Sequence, residues 1–209
     1  MYIEIHPENP ETRKIAQAIK CLQEGGIVIY PTDTIYGLGC DITKPRAIER
    51  ICKLKGLNPK KANLSFVCKD LSQMAEYTLP FSKPVYKVMN RNLPGAFTFI
   101  LKASNEVPKL LKSKKKEVGI RVPDNKIALA LVEALGNPIL STSLHHEDEF
   151  VQYPSDPEEI FHEYQKQVDI IIGGGPGKNV PSTVVNCIDG IEIIREGAGV
   201  LEDLSLIHI

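Results

Sequence analysis

The sequence predicts an α/β (α+β) domain built on one twisted, mixed sheet flanked by helices, and three observations predict it. Helical and strand patterns alternate along the chain, short apolar runs such as Ile27-Val28-Ile29 end abruptly in polar turns, and the last two strand candidates are joined by a short Asp189-Gly190 turn that requires them to be antiparallel. Residues 11–24 place Ile15, Ala18, Ile19 and Leu22 at helical spacing and stop at Gly25-Gly26, so a helix feeds a buried strand at 26–30. Residues 45–55 repeat the pattern through Ala47, Ile48, Ile51 and Cys52, with Glu49 and Lys53 paired on the wet side. Strands are expected at 64–68, 96–102, 118–122, 138–142, 168–172, 182–187 and 191–195, and helices at 82–92, 125–135 and 156–165. The last helix has Ser155 or Asp156 to cap it and Pro157 in its first turn.

With 209 residues, 43% of them hydrophobic, and no linker-like stretch, the chain is expected to form one domain over 1–209. A net charge of −1 gives no overall attraction to nucleic acid, so contact with RNA or a nucleotide needs a local basic patch. Lys109, Lys112, Lys114, Lys115 and Lys116 offer one, but without interleaved aromatics they also fit a solvated loop. The five cysteines follow neither a zinc nor a disulfide pattern. The start Met1-Tyr2-Ile3-Glu4 lacks a signal-peptide pattern and no apolar run approaches a bilayer span, so cytoplasmic residence and no membrane partner are expected.

The densest polar stretch is Tyr30-Pro31-Thr32-Asp33-Thr34-Ile35-Tyr36-Gly37-Leu38-Gly39-Cys40-Asp41, which reads as a binding loop at a strand end. Thr and Asp also close turns locally, so the stretch alone leaves a structural turn open. Similar texture returns in Pro94-Gly95-Ala96-Phe97-Thr98-Phe99-Ile100-Leu101, Val118-Gly119-Ile120-Arg121-Val122-Pro123-Asp124-Asn125, Ser141-Thr142-Ser143 and Pro181-Ser182-Thr183-Val184-Val185. Arg121 sits in a buried-looking strand, where a guanidinium is either a structural ion pair or a clamp for carboxylate or phosphate. Gly173-Gly174-Gly175-Pro176-Gly177-Lys178 departs from the P-loop template, since Ile172 stands for the first glycine and Asn179 for the Ser/Thr. It reads instead as a flexible loop bordering a site. These strand-end groups are expected to converge on one concave, basic groove.

In their order, and with the tail Ile194-Arg195-Glu196-Gly197, these segments resemble the YrdC/YciO family over roughly residues 10 to 200. Cys40-Asp41, Ile5-His6-Pro7 and Ser155-Asp156-Pro157-Glu158-Glu159-Ile160 resemble its YciO branch. The resemblance implies an L-threonylcarbamoyladenylate synthase, a nucleotidyltransferase that condenses threonine, bicarbonate and ATP, with Mg2+ accompanying the ATP, for modification of tRNA. It implies that Thr34 and Tyr36 shape a threonine pocket, Arg121 clamps the carboxylate, and Ser143 and Ser182 line the site. Lys55 and Arg195 would meet the nucleotide phosphates.

Two departures stand out. Lys55-Gly56-Leu57 replaces the family's Lys-x-Arg, and Ser143-Leu144-His145 replaces its Ser-x-Asn. His145, Lys60 or Lys61 would then have to supply nucleotide contacts, although Lys53 and Lys55 are equally explained as a solvated helix end. The departures keep a second expectation open: a module that binds nucleotide or double-stranded RNA without efficient synthesis.

Overall fold

The apolar runs and stripes mature into strands and helices in the computed structural model, which describes residues 1–59, 64–111, 116–144 and 153–201. In chain order they are β1 Tyr2–Glu4, α1 Thr12–Gln23, β2 Val28–Tyr30, β3 Gly37–Asp41, α2 Pro45–Leu54, β4 Ser65–Val67, α3 Leu71–Glu76, α4 Lys83–Asn92, β5 Phe97–Lys102, β6 Glu117–Arg121, α5 Lys126–Leu135, β7 Ile139–Ser143, α6 Pro157–Tyr164, β8 Ile170–Gly173, β9 Thr183–Asn186 and β10 Glu192–Arg195. Every element expected from the sequence forms within two residues of its expected bounds. Local chemistry explains the ends. Asp70, Asn125 and Asp156 cap α3, α5 and α6 by accepting backbone N–H bonds, Pro157 occupies the first turn of α6, and Gly136 ends α5 with a φ of 82°.

All ten strands join one sheet in the order β1-β8-β2-β3-β7-β4-β6-β5-β9-β10. Parallel pairs (β1/β8, β2/β8, β4/β6, β5/β9) mix with antiparallel ones, and β9/β10 is the antiparallel hairpin its short turn demands. Alternate residues of the central strands face two separate cores. Val28, Tyr30, Ile170, Ile172, Val67 and Ile139 pack under α1 and α5, while Ile29, Ile171, Phe66 and Leu140 belong to the larger core on the other face. The α1/α5 core draws no described residue from β5, β6, β9 or β10. Past β4, that face of the sheet is therefore open for a site.

One expectation is corrected here: the 30–41 stretch is a loop only over its first half. Gly37–Asp41 is a strand, paired with β2 on one side and β7 on the other. Its two glycines make room for a ring, since a Cβ at Gly39 would lie 2.6 Å from Ile139 Cγ2, 2.9 Å from Tyr30 Cε1 and 3.0 Å from the Leu140 carbonyl. Tyr30 crosses that bare strand and donates its hydroxyl hydrogen to Ser141 Oγ at 2.9 Å, tying β2 to β7. We expect Gly39→Ala to destabilise the protein by about 1–3 kcal/mol through overpacking, read from the urea midpoint. An unchanged midpoint would show that the ring has slack.

Candidate functional site

The loop 31–36 is closed from within. Thr32 Oγ1 donates to the Ile35 carbonyl at 2.7 Å and accepts the Thr34 N–H at 3.0 Å, a local turn of the kind threonine favours. That turn points Asp33 and Thr34 at the end of β6. There Arg121 Nη2 donates to Asp33 Oδ1 and to Thr34 Oγ1, each at 2.9 Å, with the Arg121 and Asp33 side chains only 12% and 7% exposed. Arg121 Nε and Asp33 Oδ2 are buried and make no hydrogen bond among the described residues. The open alternative for Arg121 thus resolves into both: it is ion-paired, and it lines a cavity.

That cavity holds about 900 Å³, near the top of the range for small-ligand sites. Sheet register explains what meets there. Phe99 lies opposite Ile120, and one step further along the same register Thr98 and Arg121 are neighbours; Thr98 lies opposite Val184 and Val184 opposite Arg195, so four neighbouring strands present one row to the cavity. A register shift between Ile193 and Arg195 brings Arg195 into the row, as bulges commonly re-aim side chains beside sites. At ordinary strand spacing the backbones of Arg121 and Arg195 are about 14 Å apart. Between them Thr98 Oγ1 and Ser182 Oγ share a hydrogen bond of 2.8 Å, and Arg195 Nη2 donates to the Ser182 carbonyl at 2.9 Å. Ser143 and Tyr36 also line the cavity, and Glu117 is its acidic lining residue. The lining carries two arginines and one glutamate, and Asp33 offsets the charge of Arg121 from behind.

Arg121, Ser143, Ser182, Tyr36 and Arg195 are therefore brought together, and two other expected residues take different places. Thr34 is fully buried and holds Arg121 rather than facing the cavity. Lys55 is no solvated helix end: it is 5% exposed, and its Nζ donates to the Leu144 carbonyl at 2.9 Å, which anchors the chain next to Ser143. His145 lies outside the described residues, as do Lys60, Lys61, Lys112, Lys114 and Lys115. Thr98 and Asp33 were missed. A buried arginine implies an anion, and Asp33, beside Thr34 in the polar loop, was the available signal.

Tyr36 borders the cavity but is 1% exposed, and its role is that of a strut. Its hydroxyl donates to the Gly175 carbonyl at 2.7 Å and accepts the Gly174 N–H at 3.2 Å, while the Lys178 N–H donates to the Thr34 carbonyl. The glycine segment, expected as a flexible loop, is pinned to Tyr36 and Thr34 by these bonds and touches the cavity only through Tyr36. Burial pushes the hydroxyls of both Tyr36 and Tyr30 up to about 12. A raised folded-state value means full stability below about pH 10, the unfolded tyrosine value, and a loss as pH climbs through 10–12. Denaturant titrations from pH 9 to 12 should show that fall, and Tyr36→Phe should make it shallower. An equal slope in the variant would remove Tyr36 from the account.

Burial also raises the thiols of Cys40, Cys68 and Cys187, which keeps them protonated and unreactive. Among the described residues no group of three or more His, Cys, Asp or Glu is placed to hold a metal, and no helix is long and apolar enough to cross a membrane.

Comparison with known proteins gives consistent matches. The sequence model of the Sua5/YciO/YrdC family, described as telomere recombination, matches residues 20–197. The protein YciO of Escherichia coli (strain K12) is 46% identical over 198 residues, covering 93% of this chain and 94% of that protein. Its crystal structure superposes with a TM-score of 0.89 at 44% identity, over 96% of this chain and 97% of that one. The threonylcarbamoyl-AMP synthase of Bacillus subtilis (strain 168) is 33% identical over 193 residues, 91% of this chain and 55% of that protein. Sua5 of P. abyssi, in a crystal structure complexed with L-threonine, matches with a TM-score of 0.85 at 27% identity, over 94% of this chain and 57% of that one.

Proposed function

The chain belongs to the Sua5/YciO/YrdC family, and on that premise we propose that its cavity binds L-threonine and ATP and condenses them with bicarbonate into threonylcarbamoyl-adenylate. One observation carries the proposal: Arg121, fixed from behind by Asp33 and Thr34, faces a cavity large enough for an amino acid beside a nucleotide, with Arg195 at the other end of the same row. The related Sua5 structure with L-threonine supports the amino-acid half.

In this reading Arg121 takes the threonine carboxylate. Its Nη2 hydrogens are already committed and its Nε is buried, so a ligand oxygen would meet the part of the guanidinium that lines the cavity. The threonine amine attacks the bicarbonate carbon, the C–OH bond breaks, and the hydroxide leaves as water with an amine proton, which gives the carbamate. A carbamate oxygen then attacks the α-phosphorus, the bond to the β-phosphate oxygen breaks, and pyrophosphate leaves. No protein nucleophile is needed, so the protein's share is positioning and stabilising phosphate charge, for which Arg195 and the Ser143 and Ser182 hydroxyls are placed. Mg2+ enters with ATP as part of the substrate and neutralises phosphate charge there.

The test is pyrophosphate release with threonine, bicarbonate and ATP together. Release that requires all three supports the synthase; binding of threonine and ATP without release rejects it. One feature favours a second reading. At 36% exposure, Leu57 leaves an apolar side chain at the surface where the family resemblance implies an arginine. A module for nucleotide, tRNA or double-stranded RNA would need no such cation.

A further inference from the structure

Asp33 lies outside the residues that the family resemblance assigned, and its geometry gives it a task of its own. It projects from a turn locked by Thr32, its side chain is 7% exposed, and one of its oxygens is 2.9 Å from Arg121 Nη2. Together with Thr34 it uses both hydrogens of that nitrogen, which fixes the plane of the guanidinium. The opposing charge also cancels the arginine's net charge where it meets the cavity. What remains is an oriented set of N–H donors with little net field.

We infer that Asp33 is a positioning and specificity-determining residue that makes Arg121 select a monocarboxylate over a phosphate. The inference rests on the synthase reading, in which one cavity receives both an amino acid and a polyanion. A bare arginine there would capture phosphate oxygens as readily as a carboxylate, because Coulomb attraction grows with ligand charge. Zwitterionic threonine gains little from a net field, since its ammonium is repelled as its carboxylate is attracted. Its binding depends on orientation. Pyrophosphate, with several negative charges and no cation, is penalised by the nearby carboxylate.

Asp33→Asn keeps the size of the side chain and removes its charge. Calorimetry with threonine and, separately, pyrophosphate should show threonine affinity reduced by about tenfold or more and pyrophosphate affinity increased by about tenfold. Asp33→Glu restores the charge and should return pyrophosphate affinity to within about twofold of wild type. Thr34→Val removes the second anchor, and with it the Thr32–Thr34 hydroxyl bond, but leaves the Asp33 charge in place, so it should weaken threonine without strengthening pyrophosphate.

A folded Asp33→Asn protein in which both affinities fall, or in which pyrophosphate is unaffected, would reduce Asp33 to a structural counter-ion. If that variant does not fold, the wild type still decides: pyrophosphate must fail to compete with threonine, and competition overturns the inference. A wild-type protein that binds no threonine would sink the synthase reading instead. The change in pyrophosphate affinity on removing Asp33 would still decide its effect on charge.

Discussion

Replacing Arg121 with alanine is expected to weaken threonine binding by about 2–5 kcal/mol, the usual cost of losing one partner of a buried charge-assisted contact, and to affect ATP far less. That is roughly thirtyfold to several thousandfold in affinity. Part of the effect is structural, because alanine leaves Asp33 buried without its cation. Thermal unfolding must therefore accompany the calorimetry, and a lowered Tm with a folded baseline is the expected companion result. Arg121→Lys should recover only a fraction of the affinity. An ammonium can satisfy Asp33 or the ligand as a point charge, but it cannot hold both in the plane of a guanidinium. Unchanged threonine affinity in folded Arg121→Ala protein would make the residue a structural ion pair and remove the keystone of the site.

How much of this was legible in the sequence depended on the range of the interaction. The strand at 26–30 and the helices at 11–24 and 125–135 carry their signals in their own spacing, and they form where expected. β3 was hidden for a local reason: Gly37 and Gly39 weaken strand propensity, and the need for them comes from the Tyr30 ring lying across the strand. β1, with three residues, and α3, with six, are too short to show a period.

The site splits in the same way. Polar loops and a buried-looking arginine are visible one segment at a time, so the set of residues around the cavity was largely recoverable. The division of labour among them was not. A threonine that touches a ligand and one that holds an arginine look identical in a sequence, and the Arg121–Asp33 pair joins residues 88 apart. Lys55 misled similarly: a lysine ending a helix resembles a solvated cap until β7 is seen to bring the Leu144 carbonyl over it.

The largest expected gain of function comes from the two departures from the family pattern. Leu57 follows Gly56, which ends α2 with a φ of 62°, and its neighbours Asn58 and Pro59 line the cavity. At 36% exposure Leu57 is not a core residue, so an arginine there displaces little packing and its guanidinium starts beside the cavity wall. If pyrophosphate departs on that side, Leu57→Arg combined with His145→Asn should raise turnover by roughly two powers of ten. One preorganised cation at a developing phosphate charge is worth about 3 kcal/mol. The gain should appear in kcat, because charge on the leaving group develops as the bond breaks and is weaker in the bound ATP. Threonine affinity, set at Arg121, should stay unchanged, which separates this effect from any general tightening of the cavity. The decisive measurement is single-turnover pyrophosphate release with both substrates saturating, alongside urea unfolding of the double variant. A stable double variant that binds threonine and ATP as the wild type does, yet releases pyrophosphate no faster, would show that the missing arginine and asparagine do not limit synthesis. That outcome would shift the weight to the binding module.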